Sequence, residues 1–257
     1  MDGSELPRFD GRVVLVTGGC RGIGRGIASR FSEAGAHVAI CCRHEPEDLP
    51  SGWLFVGADV REPDQVDAVI AATTDRFGSL DVLVNNAGGS PPADTAAASP
   101  RFTAGIIALN LTAALVTAQK ANAVMQGQER GGNIVNIASV SGIRPSPRTV
   151  AYGAAKAGLL NATQTLAVEF APKVRVNAVV AGYVVTEQAH LFYGDDEGVR
   201  AVGETVPLGR MADPTDVADV CLFLASPLAR YVTGAQVLVH GGGELPTYIA
   251  AAKGTSS

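Results

Sequence analysis

The sequence predicts an α/β protein: a seven-stranded parallel sheet with helices packed on both faces, three layers in all. Three observations carry this expectation. Short apolar runs recur at 13–17, 37–42, 54–58, 81–85, 133–138, 174–179 and 236–239, with a helix-length segment between each pair. Of 257 residues, 47% are hydrophobic and only 18% charged, a balance that suits strands buried from both sides. No Pro/Ser linker or composition break divides the pattern, so a single domain is expected over 1–257, with its core at about 10–243.

Taken in order, the first run, Val13-Val14-Leu15-Val16-Thr17, ends in a glycine turn and leads into a helix through about Ala34. The second, 37–42, ends in Cys41-Cys42 and is followed by a polar loop at 45–52 that holds two prolines. Asp59-Val60 follows the third run and Asn85-Asn86-Ala87-Gly88 closes the fourth. The longest uncharged stretch, 102–119, is interrupted by Asn110, Gln119 and several threonines, so it reads as a buried helix of a soluble protein and not as a membrane span. Ser139 stands after the fifth run, Gly182 to Thr186 after the sixth, and 187–206 reads as an irregular, lid-like segment. Ligands of such a sheet bind beyond the carboxyl ends of its strands.

Composition excludes several classes. The 20 Lys and Arg against 25 Asp and Glu leave a net charge of −5, which argues against a nucleic-acid binder. Thirty glycines exceed the usual ~7%, yet they follow no collagen-like period, so they serve particular backbone geometries. The four cysteines, at 20, 41, 42 and 221, show neither CxxC spacing nor a disulfide framework. Reduced thiols packed as small hydrophobes in a cytoplasmic protein are expected, without a metal site. Residues 1–9, with Asp2 and Glu5, contain no apolar core of a secretory signal.

Chemistry enters with Thr17-Gly18-Gly19-Cys20-Arg21-Gly22-Ile23-Gly24, directly after the first strand and opening a helix. Glycines there let the backbone approach a pyrophosphate, whose charge meets free N–H groups and the positive end of the helix dipole. A tight turn without ligand satisfies the same pattern. Tyr152 and Lys156 lie four apart and so share a helix face. A nearby ammonium favours a phenolate and lowers the pKa of a tyrosine from ~10 towards neutrality. Ser139, upstream at a strand end, offers a hydroxyl to a substrate carbonyl. Read singly, Ser139 is an ordinary helix cap, Asn110 a buried amide satisfied by backbone, and Asp59 a cap for the next helix.

Together, T-G-x-x-x-G-I-G at 17–24, Asp59-Val60, Asn85-Asn86-Ala87-Gly88, Asn110, Ser139 and Tyr152-x-x-x-Lys156 resemble the compact form of the short-chain dehydrogenase/reductase family. The resemblance spans roughly 10–243 and implies a doubly wound Rossmann fold. It implies a nicotinamide dinucleotide held by Gly18, Cys20, Arg21, Gly22, Ile23, Gly24, Arg43, Asp59, Val60, Asn86, Ala87, Gly88, Tyr152, Lys156, Gly182, Val184 and Thr186. Asp59 and Val60 would meet the adenine ring, and Thr186 the nicotinamide carboxamide. It further implies a tetrad of Asn110, Ser139, Tyr152 and Lys156. Tyr152 would exchange the proton as hydride moves between cofactor and carbonyl carbon, Lys156 would hold the nicotinamide ribose, and Asn110 a relay water. Two departures are Ala181, where the family usually has Pro, and His240, where it commonly has Asp.

The end of the second strand reads Cys41-Cys42-Arg43-His44, with no acid before Glu45 to accept from a ribose 2′-OH. With Arg21 in the glycine loop, this predicts NADP(H), with NAD(H) as the alternative. The pattern is similar to 3-oxoacyl-thioester reductases, on carrier protein or CoA, and also to hydroxysteroid and other secondary-alcohol dehydrogenases. Arg144 and Arg148 either attract an anionic acyl carrier or are solvated rim charges, and Leu191, Phe192 and Tyr193 either cover an apolar substrate or pack the lid. A non-catalytic nucleotide-binding regulator is the remaining alternative. The apolar helices around 102–119 and Tyr152 form the subunit interface in the family, implying a homo-oligomer, with a tetramer expected.

Overall fold

Strand alternation decides where each layer goes. In the computed structural model, which describes residues 7–187 and 189–248, β1 (Val13–Thr17) turns Val14 and Val16 to one face and Leu15 to the other. The same alternation separates Val38 and Ile40 from Ala39 and Cys41 in β2 (His37–Cys42), and Val82 and Val84 from Leu83 in β4 (Val82–Asn85). Strands buried on both sides must be apolar on both sides, and these are. One face packs on α1 (Gly22–Glu33) through Ile27, Ala28 and Phe31, and on α8 (Pro214–Ala225) through Val217, Cys221 and Leu224. The other packs on α2 (Pro63–Phe77), on α4 (Ala113–Gly127) and on the C-terminal part of α5 (Val150–Glu169) through Val66, Ile70, Ala121, Met125 and Leu166. Each fully buried Leu, Ile or Phe among them contributes roughly 1.5–3 kcal/mol relative to exposure.

With β3 (Leu54–Gly57), β5 (Gly132–Ser139), β6 (Val174–Ala181) and β7 (Gln236–Val239), the strands form one parallel sheet in the order β3-β2-β1-β4-β5-β6-β7. The order reverses between β1 and β4, and the crevice at that reversal is where such sheets bind ligands. Register aligns the carboxyl ends: Thr17 pairs with Cys41, Asn85 with Asn136, and Ser139 with Ala181. Ala181, lacking the proline ring, pairs within β6 to its last residue.

Some expectations fail for local reasons. The β2–β3 connection holds no helix, because Pro46, Pro50 and Gly52 break any helical run. The segment at 187–206 is not irregular: it forms two short helices, α6 (Ala189–Tyr193) and α7 (Asp196–Glu204), the latter capped by Asp195 accepting from Gly198 N at 3.0 Å. The uncharged stretch belongs to one long helix, Pro100–Gly127, made of α3 (Pro100–Ile107), a π-turn at Ala108–Thr112, and α4. It is long and apolar enough to cross a membrane, but it lies against the sheet and carries the buried Asn110. Only 33% of its most apolar window is buried, so a wholly buried helix was the wrong expectation. The expected reduced thiols are also corrected: Cys20 and Cys42 form a disulfide, while Cys41 and Cys221 are free and buried. Spacing hid the pair because parallel pairing of β1 and β2 brings together residues 22 apart in sequence.

Candidate active site

A cleft of about 620 Å³ runs along the carboxyl ends of the strands. All seventeen residues expected to hold the cofactor line it, together with Ser139; Asn110 does not.

The glycine turn is shaped by what a side chain would strike. A Cβ at Gly24 would fall 2.3 Å from Gly18 O, and one at Gly18 would lie 3.0 Å from Ala87 Cα. Gly18 also has φ +66°, a left-handed value that glycine adopts freely. Gly19 differs from expectation: its missing Cβ makes room for Ile40, so it packs the loop on β2 and does not line the cleft. No side chain of its own N-cap residue, Arg21, caps α1, which leaves the first-turn N–H groups for an acceptor in the cleft. One acceptor is present. The Glu187 carboxylate, from the segment after β6, takes the Gly22 N–H at 3.1 Å, standing where an anionic phosphate would be welcome. A backbone cradle that excludes Cβ atoms and already attracts a carboxylate fits a dinucleotide pyrophosphate.

Thr17 ties this loop to the next. Its buried hydroxyl accepts from the N–H of Asn86 and of Ala87, both at 3.0 Å, while Asn86 Nδ2 donates to Thr17 O at 3.0 Å and Gly18 O at 3.2 Å. Asn85 points elsewhere, donating to Ala114 O and Asn136 Oδ1, so only Asn86 to Gly88 of that motif line the cleft. Asp59 is no helix cap: α2 begins after Glu62, and Asp59 instead accepts from Arg61, which holds its carboxyl below the usual range. Arg21 and Arg43 are exposed at the cleft, and among the described residues neither enters an ion pair.

Gly88 draws the tetrad together. A Cβ there would meet Asn110 Oδ1 at 2.6 Å and Lys156 Nζ at 3.3 Å, so the loop passes over both because it has no side chain. Asn110, in the π-turn and 1% exposed, accepts from Gly89 N at 2.8 Å and donates to Gly89 O and Ile106 O at 2.9 Å. Its side chain is thus saturated by backbone and fixes the Gly88-Gly89 strand end. Lys156, 3% exposed, donates to Ile137 O at 2.7 Å, and burial pushes its pKa down to about 8. Burial also pushes the Tyr152 phenol up, against a hydrogen bond with Ser139 that lowers it. The expected lowering of Tyr152 by the ammonium is not found: Nζ lies 5.6 Å from the ring centre and is turned to the Ile137 carbonyl. Ser139 does also cap, accepting from Ser141 N at 3.2 Å.

On the substrate side Phe192 and Tyr193 line the cleft; the Leu191 side chain lies outside the described residues. Arg144 pairs with Glu244 and donates to Tyr183 Oη at 3.2 Å, so its charge is neutralised within the chain. Arg148 is exposed at φ +66°, its carbonyl accepting from Ala93 N at 2.9 Å. Gly182 is required where a Cβ would meet His240 Cβ at 2.8 Å, and His240 Nδ1 accepts from Gly242 N at 3.2 Å. Glu187 and Cys42 also line the cleft, although the motifs do not include them. Glu187 stands in a segment without a motif, and Cys42, at the end of an apolar run, has the pattern of a core thiol.

Comparison with known proteins agrees with this geometry. Residues 18–244 match the family model described as enoyl-(acyl carrier protein) reductase. The chain is 36% identical to an L-rhamnose 1-dehydrogenase (NAD(P)(+)) of Azotobacter vinelandii, covering 90% of this chain and 96% of that one. It is also 36% identical to a 3-oxoacyl-[acyl-carrier-protein] reductase of Vibrio cholerae, over 91% and 98%. Its fold superposes on the ligand-free aldohexose dehydrogenase of Thermoplasma acidophilum with a TM-score of 0.85 and 32% identity, over 96% of each chain. The chain belongs to the short-chain dehydrogenase/reductase family, NAD(P)(H)-using oxidoreductases that act on alcohols and ketones.

Proposed function

We propose that the protein is an NADP(H)-dependent oxidoreductase that interconverts a ketone and a secondary alcohol, with cofactor and substrate sites in one domain. The observation that carries this reading is the convergence of the glycine cradle, Ser139, Tyr152 and Lys156 in a single cleft. A nicotinamide bound there supplies or accepts the hydride. Ser139 donates a hydrogen bond to the carbonyl oxygen and stabilises the charge that grows on it. Tyr152 Oη gives that oxygen its proton in reduction and takes it back in oxidation. Lys156 supports Tyr152 and binds ribose hydroxyls, and Asn110 positions the Gly88-Gly89 backbone and the relay water. Asp59 and Val60 border the adenine and Thr186 the carboxamide.

The choice of NADP(H) rests on Arg21 and Arg43, two exposed cations at the cleft without ion-pair partners among the described residues, which suit a 2′-phosphate. A comparison of kcat/KM with NADPH and NADH tests it. Arg43→Asp is expected to reverse a wild-type preference for NADPH, and a wild-type preference for NADH overturns it.

For substrate, 3-oxoacyl thioesters are one reading, in line with the Vibrio relative. The pairing of Arg144 with Glu244 favours the other, a secondary-alcohol dehydrogenase, because it leaves Arg148 alone to meet an anionic carrier. A panel of acyl thioesters, sugars, steroids and small ketones, followed by NADPH absorbance, separates them. Turnover of none, with cofactor bound, points to a non-catalytic regulator. The exposed face of Pro100–Gly127, with Val150 and Val168 of α5 exposed 57% and 80%, supports a homotetramer, which sedimentation tests. A cytoplasmic setting goes with this reading.

A further inference from the structure

Cys20 belongs to the glycine loop and Cys42 is the last residue of β2, and the disulfide between them spans a Cα separation of 6.4 Å, within the range such bridges take. Both cysteines line the cleft. The residue after each is Arg21 or Arg43, the two cations on which 2′-phosphate recognition rests. The loop is already fastened to β2 on its inner side, where Gly18 N donates to Cys41 O at 2.8 Å and Gly19 closes on Ile40. The disulfide adds a tie on the outer side, between the loop and the strand end. The other two cysteines do not compete. Cys41 and Cys221 are 1% and 0% exposed, and burial pushes the Cys41 thiol up to about 12 and that of Cys221 higher still.

We propose that Cys20 and Cys42 form a reversible redox switch on cofactor access, in which the dithiol form admits the dinucleotide and the disulfide form draws the cleft walls together and weakens binding. This rests on the cofactor reading above. The oxidant is a peroxide. The Cys20 thiolate, its charge favoured by the N-terminus of α1 and by Arg21, attacks one peroxide oxygen. An S–O bond forms as the O–O bond breaks, and the departing hydroxide takes a proton to become water. The Cys42 thiolate then attacks the sulfenic sulfur, the S–S bond forms, the S–O bond breaks, and a second hydroxide leaves as water. Two thiols and one hydrogen peroxide thus give one disulfide and two waters, the sulfurs together losing two electrons to the peroxide oxygens. A dithiol reductant reverses the step by exchange. Under oxidising conditions the enzyme would cease to draw on NADPH.

The test compares one protein in two states: reduced with a phosphine and desalted, or treated with hydrogen peroxide. Non-reducing peptide mapping identifies the bridge, and NADPH fluorescence titration gives Kd. The oxidised form is expected to carry a Cys20–Cys42 link and to bind NADPH about tenfold more weakly, with dithiothreitol restoring affinity. Cys42→Ser, and separately Cys20→Ala, should abolish the difference between peroxide-treated and untreated protein. Equal Kd in the two wild-type states, or no Cys20–Cys42 link after peroxide, overturns the switch alone. A reduced form that binds neither NADPH nor NADH overturns the cofactor reading, and the switch with it.

Discussion

The Lys156 ammonium stands 5.6 Å from the centre of the Tyr152 ring and gives a hydrogen bond, at 2.7 Å, to the carbonyl of Ile137 on β5. A charge in that position is tied to the sheet first and to the phenol second. The proton-transfer work therefore falls on Tyr152 itself. Tyr152→Phe keeps the ring and removes the proton, so turnover should fall by about 10²- to 10⁴-fold while circular dichroism remains unchanged. Near-normal kcat with the variant would refute the assignment.

Burial of Lys156 has a pH signature. Its folded pKa is about 8 against an ordinary 10.5, so between these values the unfolded chain holds a proton that the folded chain has lost. Stability from this group therefore rises with pH through that window, and below about 8 the buried ammonium is a cost. Cys41, whose thiol is pushed up, acts in the opposite sense, because the folded chain keeps a proton the unfolded one loses. Urea denaturation of wild type and Lys156→Met across this range isolates the lysine: the wild type should gain on the variant as pH rises.

Asn110→Ala removes three hydrogen bonds and leaves Gly89 N and O without their partners. A loss of about 1–3 kcal/mol is expected in urea denaturation, since a buried amide and carbonyl lose satisfaction together. Because Gly88 rests on the same side chain, kcat should fall more than KM rises, which steady-state kinetics will read.

Glu187→Gln replaces a carboxylate at the N-terminus of α1 with a neutral amide. The carboxylate competes with a cofactor phosphate for the Gly22 N–H, so the variant should bind NADPH more tightly. An interaction of ~0.3–1 kcal/mol corresponds to about two- to fivefold in Kd, larger at low salt. An unchanged Kd by fluorescence titration would remove Glu187 from the cofactor's path.

Much of the molecule was legible in the sequence, and the reasons are physical. Val13–Thr17, His37–Cys42 and Gln236–Val239 have the bounds read from their apolar runs, because strands buried on both faces leave no polar residue to blur an edge. The glycine turn, Ser139, Tyr152 and Lys156 were found because each motif adjoins a strand end and the sheet gathers strand ends. What escaped notice depends on distant neighbours. Gly19 has the pattern of a phosphate glycine until Ile40 is placed beside it, and Cys20 and Cys42 are unrelated until β1 and β2 pair. Likewise, α6 and α7 are too short for periodicity to declare them.

Because β1 gives Val14 and Val16 to one helical layer and Leu15 to the other, losing a single residue from it would exchange the two layers' side chains and carry the glycine loop about 3.3 Å along the strand. Change of length over evolutionary time is therefore barred from the strands and left to the connections beyond them. The segment at 187–206 and the β2–β3 loop can lengthen or shorten while Thr17, Ser139 and Lys156 keep their places. New substrates become reachable there by insertion, without disturbing the parts that move the proton.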